Sequence, residues 1–266
     1  MNALTVLLTS LMGLFSVVGA VPDTVIETSI RDQVDQVEIL AVRTDLSTEH
    51  QLLRGKVDRL RVAARGLYPI ADVRIDTLDL ETDVIDVDMG ELRQGDLVWE
   101  EPLQAAVHVV LTQEDIDRAL RSPTVIDQLE DMAVGLFGGI VGGMSQASLT
   151  DVKIQFLGDE RIQLGATLAQ PQTGEELVVE LTTQLNILQG TQLQFIEPEL
   201  MVNGDLFEPG LMSQVINGFS QAYTLNVLEQ EGITARLLDL DITEDSMSLV
   251  SFVRLESSDD EEQSYP

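Results

Sequence analysis

Hydrophobic residues along this chain change their period several times, and the changes mark out its elements. Ala105, Val107, Val109 and Leu111 alternate with Ala106, His108 and Val110, the period-two signature of a strand with one apolar face. Directly after it, the stretch TQEDIDRALRSP at residues 112–123 switches period. Thr112 and Asp115 have the spacing of a capping box, in which a hydroxyl and a carboxylate satisfy the first free amides of a helix. Glu114 and Asp115 also stand where a helix N-terminus favours negative charge. Ile116, Ala119 and Leu120 then share one helical face, and Ser122 before Pro123 reads as a second N-cap with proline at the first helical position. The acids of this stretch are helix punctuation rather than a site.

The same reading carries along the rest of the chain. A short helix over 23–34 precedes extended stretches at 36–43, 56–64, 71–88 and 104–111. Val57, Leu60, Val62 and Ala64 alternate only after one irregular step, and Val73 and Ile75 give way to Leu78 and Leu80. Such phase changes predict bulges, which bend a strand and raise its twist. After the two helices comes a Gly-rich apolar stretch, GLFGGIVGGM at 135–144, read either as a lip touching a membrane or as a tight helix-to-strand connection. Strands return at 149–156, 161–169, 176–187 and 191–200. A helix with a wide apolar stripe follows Pro209, where Leu211, Met212, Val215, Ile216, Phe219, Ala222 and Tyr223 fall at helical spacing. Strands at 235–242 and 246–255 close an α+β chain, with a single domain expected over 22–256 and a disordered acidic tail over 257–266.

The first 21 residues stand apart. From Met1 to Pro22 no side chain is charged, and about 20 apolar helical residues are enough to cross a bilayer. The segment lacks the basic n-region of a usual signal peptide, although Val18-Gly19-Ala20 has the small residues of a cleavage site. Leu4, Leu7, Leu8, Leu11, Leu14, Phe15 and Val18 also make one face opposite Thr5, Thr9 and Ser16, the pattern of a helix lying on a membrane or against its own domain. A signal, an anchor and an interfacial helix all fit, with Leu7, Leu11, Leu14 and Phe15 as the anchoring side chains. Each places the protein at a membrane or in an exported compartment, on the periplasmic or thylakoid-lumen side, with the cytoplasmic face left open.

Charge narrows the partners. The formal net charge is -31, from 46 acids against 15 cations, and only Lys56 and Lys153 are lysines. Nucleic-acid binding requires cations that neutralise phosphates, so a polyanionic partner is excluded. An acidic, arginine-for-lysine skew matches proteins kept soluble in concentrated salt, where self-repulsion is screened, and equally a merely acidic soluble surface. Cysteine is absent, which removes disulfides and thiolate metal sites.

Catalytic chemistry finds no foothold in the pattern. His50 and His108 lack ligand or triad spacing, no serine occupies a G-x-S-x-G elbow, and GGIVGG has no Gly-Lys-Ser/Thr ending. Asp86-Val87-Asp88-Met89-Gly90 and Asp239-Leu240-Asp241 faintly suggest calcium, but neither has the glycine at position six with the glutamate at position twelve. The expectation is a non-catalytic protein without cofactor or metal.

Three blocks carry a resemblance: GKVDRLRVAARGLYPIADVRIDTLDLETDVIDVD at 55–88, VHVVLTQEDIDRALRSP at 107–123 and LQFIEPELMVNGDLFEPGLMSQVINGFS at 193–220. In their order they resemble the cyanobacterial branch of the LmeA-like phospholipid-binding family, itself similar to tubular (TULIP-like) lipid-binding proteins. The resemblance implies a long, strongly curved antiparallel sheet wrapped around helices, an elongated apolar cavity, and lipid as the partner at a membrane surface. It implies no catalytic residue. The side chains expected to line such a cavity are Ile126, Leu129, Leu136, Phe137, Leu211, Val215, Ile216 and Phe219. So acidic a surface repels anionic headgroups, which favours neutral glycolipids or acyl chains unless salt screens the repulsion. A membrane-associated scaffold without bound lipid is the competing expectation.

Overall fold

The computed structural model describes residues 23–45, 55–92, 98–137, 148–169, 174, 176–207 and 224–256. The chain divides into two compact units: 1–110 with 225–239 and 249–266, and 111–224 with 240–248. Strand is the dominant element, and all its ladders between named partners are antiparallel.

In the first unit, helix α1 (Asp23–Gln33) leads into β1 (Gln36–Asp45), which pairs with β3 (Arg59–Ile70), and β3 pairs with β4 (Val73–Thr82). A six-stranded sheet continues through β6 (Leu103–Thr112), β13 (Ser246–Leu255) and β12 (Ile233–Ile242), in the order β1-β3-β4-β6-β13-β12. Period two decides which side is buried. Val42, Val62, Leu80 and Val107 oppose one another across four strands at 8%, 3%, 3% and 3% exposure. Ile26 and Ile30 of α1 are buried as well, and the Asp23 carboxylate accepts hydrogen bonds from Thr44 N (3.1 Å) and Thr44 Oγ1 (2.5 Å), tying the start of α1 to β1.

The opposite side of β1, β3 and β4 carries arginines, each matched to carboxylates. Arg61 pairs with Asp45 (2.8 Å) and Glu81 (3.2 Å), Arg59 with Glu81 (3.2 Å), and Arg65 with Asp79 (2.7 Å). Arg43 reaches Asp45 (3.3 Å), and Arg74 bridges Glu38 (3.2 Å) and Asp76 (3.1 Å). These residues face one another because register places Arg43, Arg61 and Glu81 in one cross-strand row.

Irregularities fall where the alternation breaks. The step between Val57 and Leu60 is the end of β2 (Lys56–Val57) and the start of β3, with a bend at Asp58. Within β3 the burial pattern skips phase at Gly66 and Leu67, and across from it Ile75 and Leu78 skip phase in β4; the register of the pair shifts between Leu67 and Ile70. The extended stretch expected over 71–88 divides. The Asp83 carboxylate accepts from its neighbour Val84 N (2.8 Å) and interrupts the ladder, and β5 (Ile85–Asp86) turns to pair with β2 instead.

The second unit contains helices α3 (Gln113–Ala119) and α4 (Pro123–Phe137) and a five-stranded sheet. Its strands are β7 (Ser148–Gly158), β8 (Arg161–Ala169), β9 (Glu176–Leu188), β10 (Gln192–Val202) and β11 (Asp205–Leu206), in the order β11-β10-β9-β8-β7.

Gly66 has φ +58°, and a Cβ there would run into the Glu38 carboxylate. Left-handed backbone costs a non-glycine residue about 1–2 kcal/mol, so Gly66→Ala should lower stability by about that amount, read as a lower denaturant midpoint at unchanged slope.

Candidate functional site

One face of the five-stranded sheet is apolar from edge to edge. On β8, Ile162, Leu164, Ala166 and Leu168 follow strict period two; on β9, Leu177, Val179, Leu181, Thr183 and Leu185 do the same, and register sets Leu168 against Leu177, Ala166 against Val179 and Leu164 against Leu181. The flanking strands keep to this face by breaking period. In β7 a register shift between Thr150 and Lys153, with Asp151 at φ +50°, lets Leu149 oppose Leu168 while Ile154 opposes Leu164. In β10 a shift between Ile196 and Glu199, with Glu197 at φ +47°, sets Phe195 against Leu185 and Leu200 against Leu181. Each bulge inserts a residue, so that apolar residues of opposite parity, Leu149 with Ile154 and Phe195 with Leu200, face the same way.

Thr183 is the polar exception on the face. It is 1% exposed, and its hydroxyl donates within reach of Ile196 O (3.0 Å) and Gln184 O (3.1 Å), which satisfies the carbonyl at the β10 bulge.

Burial along the face is uneven. Leu149, Leu168, Val179 and Leu200 form one buried cluster, with Leu129 of α4 and Phe207 packed against it. Phe156, Ile162, Leu185 and Ile242 form another, with Ile116 of α3 packed against it. Ile154, Leu164 and Leu181, in register between the two clusters, are half-buried. Half-buried apolar positions run the length of the face: Leu177 and Leu181 pack against the first cluster, and Leu164 and Phe195 against the second.

Helix α3 is held at the edge of this sheet by polar groups. Thr112 and Asp115 make the capping box: Asp115 N donates to Thr112 Oγ1 (3.2 Å), and Asp115 Oδ2 accepts from Thr112 N (3.0 Å) and Thr112 Oγ1 (2.7 Å). Asp115 is 2% exposed. The second cap falls as expected too: α4 begins at Pro123, and Ser122 O accepts from Val125 N (3.1 Å) and Ile126 N (3.0 Å). Gln113 escapes the sequence reading. Its side chain donates to Ile154 O (2.7 Å) and accepts from Phe156 N (2.9 Å), filling the place of a neighbouring strand on edge strand β7. Only the burst of polar residues directly after β6 hints at it.

Of the expected lining residues, Ile126 and Leu129 lie half-buried on α4, and Leu129 joins Leu149, Leu168, Val179 and Leu200. Leu136 and Phe137 close α4, with their side chains outside the described set. Leu211, Val215, Ile216 and Phe219 lie outside the described residues, as do Leu7, Leu11, Leu14 and Phe15, the Gly-rich stretch from 138 to 144, and the tail from 257. The sequence reading found the helix that meets the face but not the strand residues that compose it. Leu164 and Leu181 were legible as alternating strand positions, and nothing local distinguishes a half-open strand face from a closed one.

Asp86 and Asp88, two of the acids that hinted at calcium, have structural partners. Asp86 accepts from Lys56 Nζ (2.6 Å), and Asp88 Oδ1 accepts from Gly90 N (2.6 Å) and Glu91 N (3.2 Å) as the cap of a short helix, α2 (Met89–Leu92). Among the described residues no three histidine, cysteine, aspartate or glutamate side chains converge as metal ligands, and no helix is long and apolar enough to cross a membrane. In the first unit, an open groove of about 370 Å³ crosses β1, β3, β4 and β6, where Ala41, Ala63 and Ala106 stand between Arg43, Arg61 and Glu81 on one side and Asp79 and His108 on the other. Its charged walls already pair with one another or with neighbouring acids.

The family model for LmeA-like phospholipid-binding proteins matches residues 16–251, and the chain belongs to that family. No curated protein and no solved structure matches the chain. The family is a phospholipid-binding one rather than a known enzyme family, and lipid is accordingly the partner class it indicates.

Two measurements follow. Gln113→Leu should leave Phe156 N and Ile154 O without their partner and cost about 2 kcal/mol, read by denaturant unfolding. The hydrogen bond from Lys56 to Asp86 raises the lysine pKa above its ordinary value. A raised folded-state pKa gives stability that is complete below the unfolded value, about 10.4, and is lost as pH rises through the folded one. The stability gap between the parent and Lys56→Met should therefore be full at neutral pH and close in alkaline solution above that range.

Proposed function

We propose that the protein holds the acyl chains of a phospholipid or glycolipid against the apolar face of β7, β8, β9 and β10, and serves envelope or thylakoid lipid transfer or maintenance. The observation that carries this reading is the continuous apolar face of these four strands, half-buried at Ile154, Leu164 and Leu181, in a chain of a phospholipid-binding family. Transfer of an acyl chain out of water yields about 0.8 kcal/mol per buried methylene, so two chains suffice for firm binding without any charged contact. An elongated cavity completed by Leu136, Phe137 and the stripe Leu211, Val215, Ile216 and Phe219, as in tubular lipid-binding proteins, would enclose the lipid fully. The net charge of -31 favours zwitterionic or uncharged headgroups. Membrane association through Leu7, Leu11, Leu14 and Phe15, on an exported side, would bring the face to its lipid. Such a face needs only shape and hydrophobicity, and no catalytic role is part of this reading.

Native mass spectrometry with lipid extraction tests this on the full chain purified without detergent. The parent should carry lipid, and Leu181→Gln, which keeps side-chain size and changes polarity, should lose most of it while retaining the parent's circular dichroism. A well-folded parent that is empty and takes up nothing from vesicles would overturn the lipid reading in favour of a scaffold.

A further inference from the structure

The outward side of the second unit's sheet exposes Leu157 and Leu188 singly, on β7 and β9, and gathers three apolar residues at one corner. Val178, Met201 and Leu206 are 43%, 38% and 72% exposed. Register places them together: Met201 opposes Leu206 on β11 and Glu180 on β9, and Val178 lies two residues from Glu180 on the same side. The alternate residues of the same stretch, Leu200, Val202 and Phe207, belong to the buried cluster on the inward side. The β10–β11 hairpin thus has apolar residues on both sides, and its outward side lacks a cover of polar side chains.

That hairpin is stiff. Asn203 and Gly204 both have positive φ (52° and 84°), the conformation of a two-residue type I′ turn, for which Asn-Gly is the favoured pair. Asn203 also clamps the turn to β9: its N donates to Val178 O (2.8 Å), and its Oδ1 accepts from Val178 N (2.9 Å). Little conformational freedom remains to be lost when the corner meets a surface.

We infer that this corner docks the protein on a zwitterionic phospholipid surface through Val178, Met201 and Leu206. Glu180 faces Met201 across the strands and Glu199 stands two residues before it, both exposed, so the apolar corner is flanked by carboxylates. Carboxylates at the headgroup level repel anionic lipids and attract the ammonium groups of zwitterionic ones. A second copy of the chain is a poor occupant, because two bodies of charge -31 repel. The inference rests on the lipid reading above and extends it: the inward side of the hairpin would flank the acyl chains while the outward side touches the bilayer that supplies them.

The test is vesicle co-sedimentation of the full chain with phosphatidylcholine vesicles, alone and with phosphatidylglycerol added, beside native mass spectrometry of uptake of dispersed short-chain phosphatidylcholine. Leu206→Gln and Met201→Gln alter exposed side chains, and Val178→Thr keeps strand propensity. Each should weaken vesicle binding about tenfold, the transfer energy of one partly buried side chain. Phosphatidylglycerol should weaken it further, and short-chain uptake should be unchanged. Parent-like vesicle binding by the Met201→Gln/Leu206→Gln double variant, or a parent that ignores phosphatidylcholine vesicles, would overturn the docking surface. Docking that is lost in the double variant while even the parent takes up no short-chain lipid would uphold the surface and overturn the acyl-chain reading alone.

Discussion

Everything in the second unit depends on keeping one side of a twisted sheet apolar across strands whose sequences do not all alternate. Strands β8 and β9 alternate without interruption and define the face. Strands β7 and β10 would each turn part of their inward apolar residues to solvent if they followed suit, because a one-residue slip reverses every side chain beyond it. The left-handed residues Asp151 and Glu197 absorb the extra residue in each, and Thr183 satisfies the carbonyl freed at the second site. A face built this way is continuous without being uniformly covered: Ile154, Leu164 and Leu181 stay half-buried.

Apart from Thr183, the polar residues that position the unit's elements serve that face without entering it. Edge strand β7 presents unpaired backbone groups, and Gln113 meets them with a side-chain amide that imitates a neighbouring strand. Asp115 is buried and bound to Thr112, which fixes where α3 starts and hence where Gln113 lies. Asp88 and Asp115 thus start helices, and the amide of Gln113 closes the edge.

Local signals in the sequence were legible and cross-strand signals were not. The capping box at Thr112 and Asp115, the proline start of α4 and most strand spans follow from spacing within a few residues. The bulges at Asp151 and Glu197 escaped because each shows only when the neighbouring strand is known. The extended reading over 71–88 failed at Asp83 for a similar reason: its carboxylate competes for the backbone amide of Val84, a contest that periodicity does not record. Family resemblance supplied the lipid partner and the curved antiparallel sheet as expectations; the composition of the half-open face came from register alone.

The arginine rows on β1, β3 and β4 give this acidic protein a divided response to salt. Over most of the surface, added ions relieve the mutual repulsion behind a net charge of -31 and tighten the fold. Over Arg59, Arg61, Arg65 and Arg74, the same ions weaken attractions that hold neighbouring strands in step. The paired sheet and the remaining surface therefore draw opposite benefit from one solvent variable, and the ionic strength at which the chain is most stable is a compromise between a sheet that prefers dilute solution and a surface that prefers brine.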